Sequence, residues 1–499
     1  MEKAKIAPSP YQQAIYDAFA GTKKNINISA VAGSGKTTTL LELLNLVPRN
    51  KSVLFLAFNN SIVNELKERN KRQGAVIQTV HSCGWRGIMS KYGGGKIDAN
   101  KVYAKIEKAL KRFKNVTPKL RGTYMYYVPK LIDIMRLSMS DGSDASITSL
   151  CDKHDIELGP ADFPFVRFVF EEMAKERVVF DFTDMVYLPV LDKTIPIRQF
   201  DYVFCDESQD FSIAQQEFIR RCIKPKTGRV VSVGDKMQSI YGFAGADANS
   251  YERMAAINGE SIDMPLSVSY RCAKSVIREA QKVVPYIQYF EGAPEGVCEF
   301  GDLEGIKDGD WVVCRNVKPL VQLYIYLTAK HVKSHIKGVD ICDGIIRLIR
   351  GANTDSIAKM LAYFERRKDI LVMELKERGV KEPTKHERYE ALKTKMDVVD
   401  VLIDECNNVT DIIELIKRIF DDKETKGVTL CSIHKSKGLE GERVHLLCPE
   451  LIPSKYAYQP WQLEQEKNLL YVAITRAKKE LYKIPEEVFK AQINKDTKK

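Results

Sequence analysis

The chain has 499 residues, 44% of them hydrophobic and 29% charged, with 77 Lys and Arg against 66 Asp and Glu and a formal net charge of +11. Length predicts roughly two to four compact units, and the balance suits soluble globular domains with real cores. Charges interrupt every apolar run, which excludes a membrane-spanning helix. The stretch Met1 to Pro8 lacks a signal-peptide core, so a cytoplasmic place is expected by default. The 11 cysteines are scattered without a C-x-x-C pair and read as small buried hydrophobes in a reducing compartment. His331, His335 and Cys342 have no second ligand pair at zinc spacing, so no metal site is expected there.

In chain order, the apolar run Ile26-Asn27-Ile28 leads into Ala30-Val31-Ala32-Gly33-Ser34-Gly35-Lys36-Thr37, and a helical pattern follows. Strand, glycine-bearing turn and Lys-Thr at a helix start form a P-loop arrangement. Backbone N–H groups around Gly33, Ser34 and Gly35 would cradle phosphate oxygens. Lys36 would neutralise the outer phosphates of ATP, and Thr37 would offer its hydroxyl to Mg²⁺. Ala30 stands where the strict pattern has its first Gly. Residues Val53 to Phe58 predict another strand.

Between Lys96 and Lys130 a run of cations interleaves with Tyr103, Tyr124, Tyr126 and Tyr127. Such a tract suits a nucleic-acid backbone with stacked bases, or equally a solvated helix face. The stretches 97–175 and 340–424 predict helices. Tyr202-Val203-Phe204-Cys205 runs into Asp206-Glu207, at a strand end where open α/β sheets place ligands. Asp206 would hold Mg²⁺, and Glu207 would accept a proton from attacking water. Val230 to Val233 runs into Gly234-Asp235, and Gln238 beyond it can sense a terminal phosphate. Later apolar runs at 311–314, 428–433 and 444–447 predict a second parallel α/β unit.

In this order the motifs resemble those of superfamily 1 helicases of the UvrD/PcrA/Rep type, and of the helicase part of the eukaryotic F-box DNA helicase. The resemblance implies an α/β fold of two RecA-like parallel-sheet P-loop domains with helical insertions. Domain 1A would take 1–90 and 176–265, insertion 1B 91–175, domain 2A 266–339 and 425–499, and a reduced 2B-like insertion 340–424. It further implies that Gln12 reads adenine (Gln13 being the alternative), Tyr270 stacks on it, and Glu440 lies near the ribose. Arg271 and Arg476 would reach the γ-phosphate as arginine fingers. Phe58, Asn59, Thr79, His81, Phe243 and His434 would form the DNA track. Phe182-Thr183-Asp184-Met185 resembles a further short motif. Thr38 departs from relatives that often carry Arg near the nucleotide, and Phe243 and Ala244 stand where Trp and Arg are common.

The function so implied is an ATP-dependent DNA helicase moving 3′ to 5′ on single-stranded DNA, with ATP and Mg²⁺, closure of two domains on the nucleotide, and action at single-strand/duplex junctions. A monomer without membrane contact is expected, in the cytoplasm and associated with a nucleoid, or in host cytoplasm if viral. Competing readings are a translocase that remodels protein–DNA filaments, a non-enzymatic ATP-binding module and a small-molecule kinase.

Overall fold

The computed structural model describes residues 8–57, 60–114, 116–154, 156–240, 242, 247, 249–377, 380–424 and 426–496. Contacts divide the chain into two units, with the boundary after Ser267.

In the first unit, after the helix Pro10–Gly21, the strands β1 (Asn25–Ala30), β2 (Val53–Ala57) and β3 (Val76–Thr79) alternate with helices. A two-stranded clasp follows, β4 (Lys96–Ile97) beside β5 (Val179–Phe180). Then come β6 (Tyr202–Cys205), β7 (Arg229–Gly234) and β8 (Ser261–Leu266). Apart from the clasp they form one sheet in the order β3-β2-β6-β7-β1-β8, with every pairing parallel. Each residue of β2 and β7 is buried, as expected of a parallel sheet covered on both faces. One face packs Ile26, Phe55, Val231 and Leu40; the other packs Leu54, Val203, Val230 and Phe218. The edge strand β8 pairs only with β1, which is why it tolerates Pro265.

Between β4 and β5 lie the helices Lys101–Arg112, Pro118–Leu137, Asp144–Lys153 and Phe163–Lys175. They enclose a core of their own around Ile106, Leu131, Val166 and Val169. Several of the cations in this tract are paired with acids. Lys105 pairs with Glu176 at 2.6 Å, Lys108 with Glu172 at 2.5 Å and Arg121 with Glu107 at 2.6 Å. Tyr124 and Tyr127 are buried, whereas Tyr103 and Tyr126 stay exposed. The solvated-face alternative therefore describes much of this tract, because acids distant in sequence reach its lysines.

A buried ion network fastens these helices to the sheet unit. Arg136 donates to Asp181 Oδ1 and Oδ2 at 2.9 Å each and to Asp184 Oδ1 at 3.0 Å. Lys101 donates to Asp184 Oδ2 at 2.5 Å and to the Met173 carbonyl at 3.2 Å. Asp184 comes from the Phe182–Met185 motif, which thus acts here as an internal anchor. Its helix, Asp184–Leu191, crosses the helix Val80–Tyr92 at Gly84, where a Cβ would lie 1.6 Å from the Met185 carbonyl oxygen.

In the second unit β9 (Val268–Ser269) and β10 (Gln288–Tyr289) form a small parallel pair. The strands β11 (Val297–Phe300), β12 (Trp311–Cys314), β13 (Ser334–Lys337), β14 (Val428–Ser432), β15 (Gly441–Leu447) and β16 (Ala477–Ile484) follow. They build a second six-stranded sheet in the order β11-β16-β15-β12-β14-β13, again parallel throughout. Two such sheets are the RecA-like α/β architecture that the motifs imply. Ile433, predicted at the end of a strand, instead opens the short helix Ile433–Ser436 capped by the Ser432 hydroxyl.

The helices Val339–Arg350, Ile357–Glu377, Glu387–Leu402 and Val409–Ile419 lie between β13 and β14 in sequence. Their buried Ile345, Phe364, Val399 and Ile412 share one hydrophobic cluster with Val312, Ile336 and Leu430 of the sheet.

Removing one partner of a buried ion pair strands the others in low dielectric. Arg136→Met is expected to destabilise the first unit by about 3–5 kcal/mol, read as a lowered denaturation midpoint; an unchanged midpoint would show that the network adds nothing.

Candidate functional site

β1 is the strand next to the edge of the first sheet, flanked by β7 and the edge strand β8. The turn after it carries Gly33 at φ +70° and Gly35 at φ +82°, left-handed conformations that favour glycine. Gly35 caps the helix Lys36–Leu46 without a side-chain bond, leaving backbone N–H groups at the helix start for an anion. The Ser34 side chain is fully buried, and its hydroxyl has no hydrogen-bond partner. That orphaned group fits a turn meant to close on phosphate oxygens.

The neighbouring strands deliver acids to the same edge. Asp206 follows β6 directly, and Thr37 Oγ1 donates to its Oδ2 at 3.2 Å. Lys36 Nζ donates to Glu207 Oε1 at 3.0 Å and Oε2 at 3.1 Å. Glu207 adopts φ +53°, a left-handed conformation that costs a non-glycine residue about 1–2 kcal/mol.

Two residues without a role in the motif reading complete the cluster. Gln209 donates to Glu207 Oε2 at 2.6 Å and accepts from the Asp235 N–H at 2.9 Å, tying the end of β6 to the end of β7. Gly234 makes this possible, since a Cβ there would stand 2.6 Å from Ser208 Oγ and 2.7 Å from Gln209 Oε1. Asp235 accepts from Gln238 Nε2 at 2.8 Å. The only hint in the sequence was their position just past two strand ends.

The electrostatics follow from burial. Desolvation, with Glu207 adjacent, pushes Asp206 up to about 6. Asp235 rises to about 6, chiefly through burial. Burial opposes the charge on Lys36, but Glu207, Asp235 and Asp206 outweigh it and raise its pKa.

Gln12 lies in the helix Pro10–Gly21, fixed by a reciprocal cap with Ser9, and its Nε2 donates to Thr39 Oγ1 at 3.1 Å. The same Nε2 would be 3.5 Å from a Cβ on Gly35. Gln13 turns away to Asp17 at 2.8 Å. Thr38 is exposed, and its hydroxyl accepts from Arg69 Nη2 at 2.9 Å. A guanidinium from another helix thus reaches the first turn of the P-loop helix, at a sequence distance that no local pattern could reveal.

Thr79 caps the helix Val80–Tyr92, and its hydroxyl accepts from Ser82 N–H. Burial lowers the pKa of His81. Phe58, Asn59 and Phe243 lie outside the described residues.

In the second unit two of the predicted residues, Arg271 and Glu440, form an ion pair. Arg271 Nε contacts Glu440 Oε2 at 2.6 Å, and Lys478 Nζ contacts Glu440 Oε1 at 2.9 Å. Arg476 is buried and held by carbonyls, with Nε on Val472 at 2.9 Å and Nη1 on Leu439 at 2.8 Å. Burial, with Arg271 close by, brings its pKa down to about 10. Tyr270 is 42% exposed. Burial, with Arg315 nearby, lowers His434 to about 4, so its imidazole is neutral at pH 7.

Among the described residues no group of three or more His, Cys, Asp and Glu is placed to hold a metal. Thr37 and Asp206 nevertheless fit Mg²⁺, which is commonly held by one or two carboxylates together with substrate phosphates.

Residues 11–256 match the UvrD/REP helicase N-terminal domain, and residues 427–483 match the UvrD-like helicase C-terminal domain. The chain belongs to the UvrD-like helicase family. It is 23% identical to F-box DNA helicase protein 1 of Schizosaccharomyces pombe, over 91% of this chain and 55% of that protein. It is also 23% identical to a probable DNA helicase II homologue of Rickettsia felis, over 95% of this chain and 91% of the relative. With the ATP-dependent DNA helicase Rep of Escherichia coli the identity is 23%, over 52% of this chain and 40% of Rep. The chain therefore spans about half the length of the yeast relative. Among the described residues no helix is long and apolar enough to cross a membrane.

The raised pKa of Asp206 has a defined sign for stability. An unfolded Asp ionises near 3.8 and the folded one near 6, so the folded state holds the extra proton between these values. Its contribution is present below the lower value and is lost as pH rises through the upper one. Asp206→Asn is therefore expected to raise the melting temperature relative to the parent more at about pH 7.5 than at about pH 4.5. An equal shift at both would refute the assignment.

Proposed function

We propose that this protein is an ATP-dependent DNA helicase that moves 3′ to 5′ along single-stranded DNA and opens duplex at junctions. The observation that carries the ATP-hydrolysis part is the pairing of Lys36 with Glu207 and of Thr37 with Asp206 at one sheet edge, within a chain of this family. Polarity rests on the motif resemblance alone.

In the proposed reaction, Lys36 leaves Glu207 to contact the outer phosphates, and the freed carboxylate takes the proton of the attacking water. Gln209 orients that carboxylate through its 2.6 Å bond. Thr37 and Asp206 would hold Mg²⁺, which when bound neutralises charge on the phosphate oxygens. Gln238 would sense the γ-phosphate from its bond to Asp235. Gln12 and Tyr270 would hold adenine, with Thr38 beside it and Glu440 near the ribose.

Arg271 and Arg476 would supply positive charge to the transferring group, as arginine fingers do. We take them to act when the two domains close on ATP, so that binding favours closure and hydrolysis releases it. Thr79, His81 and His434, with Phe58, Asn59 and Phe243, form the proposed DNA track. A neutral His434 would contact a base or sugar rather than pair with phosphate. We further propose residues 91–175 as insertion 1B and 340–424 as a reduced 2B-like insertion. A monomer in the cytoplasm is the proposed working state.

One observation favours a second reading, a translocase that remodels protein–DNA filaments with little unwinding of its own. The 340–424 helices share the core of their sheet, so they add little separate surface for splitting a duplex. Unwinding of a tailed duplex by the purified monomer would exclude that reading.

ATP hydrolysis measured with and without single-stranded DNA, at a stated salt concentration, tests the leading proposal. DNA is expected to stimulate turnover. Lys36→Ala and Glu207→Gln are each expected to lower kcat by about 100-fold or more while DNA binding persists. Parent-like turnover in both variants would refute the assignment.

A further inference from the structure

Tyr270 has an aromatic neighbour that the motifs do not mention. Phe290 is 45% exposed, close to the 42% of Tyr270. Their ring centroids lie 5.1 Å apart with the planes tilted by 40°, inside the range in which aromatic pairs attract.

The backbone fixes this encounter from three directions. β10 pairs with β9 in parallel, matching Tyr289 with Ser269. The Phe290 N–H donates to the Ser269 carbonyl at 3.1 Å, and the Phe290 carbonyl accepts from Ala293 N–H at 2.9 Å. Gly292 leaves room for the ring, since a Cβ there would lie 2.6 Å from Phe290 Cε1. Phe290 is thus a half-exposed apolar ring with little positional freedom, next to a half-exposed tyrosine. Leaving both rings in water forgoes apolar burial, and holding them in register gives that surface a defined shape.

We propose that Phe290 is a positioning residue for the nucleotide base: it holds the Tyr270 ring in the orientation that stacks on a purine. This rests on the reading of Tyr270 as the base-stacking residue. The base lies far from the reacting phosphate and is bound alike before and during the reaction. Loss of the contact therefore weakens KM and spares kcat.

The test compares Phe290→Ala, Phe290→Tyr and Tyr270→Ala in DNA-stimulated ATP hydrolysis, with inorganic tripolyphosphate, which has no base, as a competitive inhibitor. Phe290→Ala is expected to raise KM for ATP about five-fold, with kcat and the tripolyphosphate inhibition constant unchanged. Phe290→Tyr is expected to restore KM. If Tyr270→Ala raises KM and Phe290→Ala does not, the Phe290 proposal fails and the Tyr270 reading stands. If Tyr270→Ala leaves KM unchanged, the Tyr270 reading fails and takes the proposal with it. A parallel rise in the tripolyphosphate constant, or a fall in kcat, would mark a general structural loss and would also overturn the proposal.

Discussion

The Lys36 ammonium and the Glu207 carboxylate bind each other at the C-terminal edge of a parallel sheet, with Asp206 and Asp235 buried close by. Burial opposes the charge on Lys36, and the nearby carboxylates of Glu207, Asp235 and Asp206 outweigh it. The rest of the first unit serves this constraint. β1 brings the lysine, β6 and β7 bring the acids, and Gln209 spans the gap between their ends. A phosphate group arriving at Lys36 would exchange one anionic partner for another rather than meet a bare cation. In the proposed reaction the site would trade one ion pair for another, and Glu207 would become available as a base once Lys36 is claimed by phosphate.

The second unit solves the opposite problem. Arg271 and Arg476 gather two like charges within a small region, with Lys478 adding a third. Glu440 answers Arg271 and Lys478 directly, while main-chain carbonyls take the buried Arg476. Carbonyls offer only partial charge, and burial, with Arg271 close by, lowers the pKa of Arg476. Such a guanidinium gains more from a newly placed anion than one already matched with a carboxylate.

The P-loop and the strands β1, β2, β6, β7, β12, β14 and β15 were legible in the sequence as apolar runs, and the runs of β1, β6 and β7 give way to glycine or acid at the site. β8 was not, since Pro265 and Asp263 break the pattern at an edge where pairing is one-sided. β16 was hidden by Lys478, Lys479 and Glu480, whose side chains the structure uses in surface ion pairs and bonds. The basic tract near residue 105 left two readings open for a related reason: Glu172 and Glu176, which pair with its Lys108 and Lys105, lie some 60–70 residues on. Gln209, Asp235 and Arg69 matter through partners in space, and short-range pattern carries no record of those. The Phe182–Met185 motif was visible as a motif, but its buried ion network was not, because Arg136 and Lys101 belong to other helices.

The clasp of β4 and β5 also bears on how the first unit can assemble. The pairing of β2 with β6 joins residues nearly 150 positions apart, a long loop to close from an unfolded chain. The clasp brings Lys96 beside Val179, so the intervening helices become a side branch. Closure entropy grows only with the logarithm of the loop that remains. Once the branch has folded around its own core, the effective loop between β3 and β6 shrinks to a few tens of residues, and the central sheet is completed across a short connection.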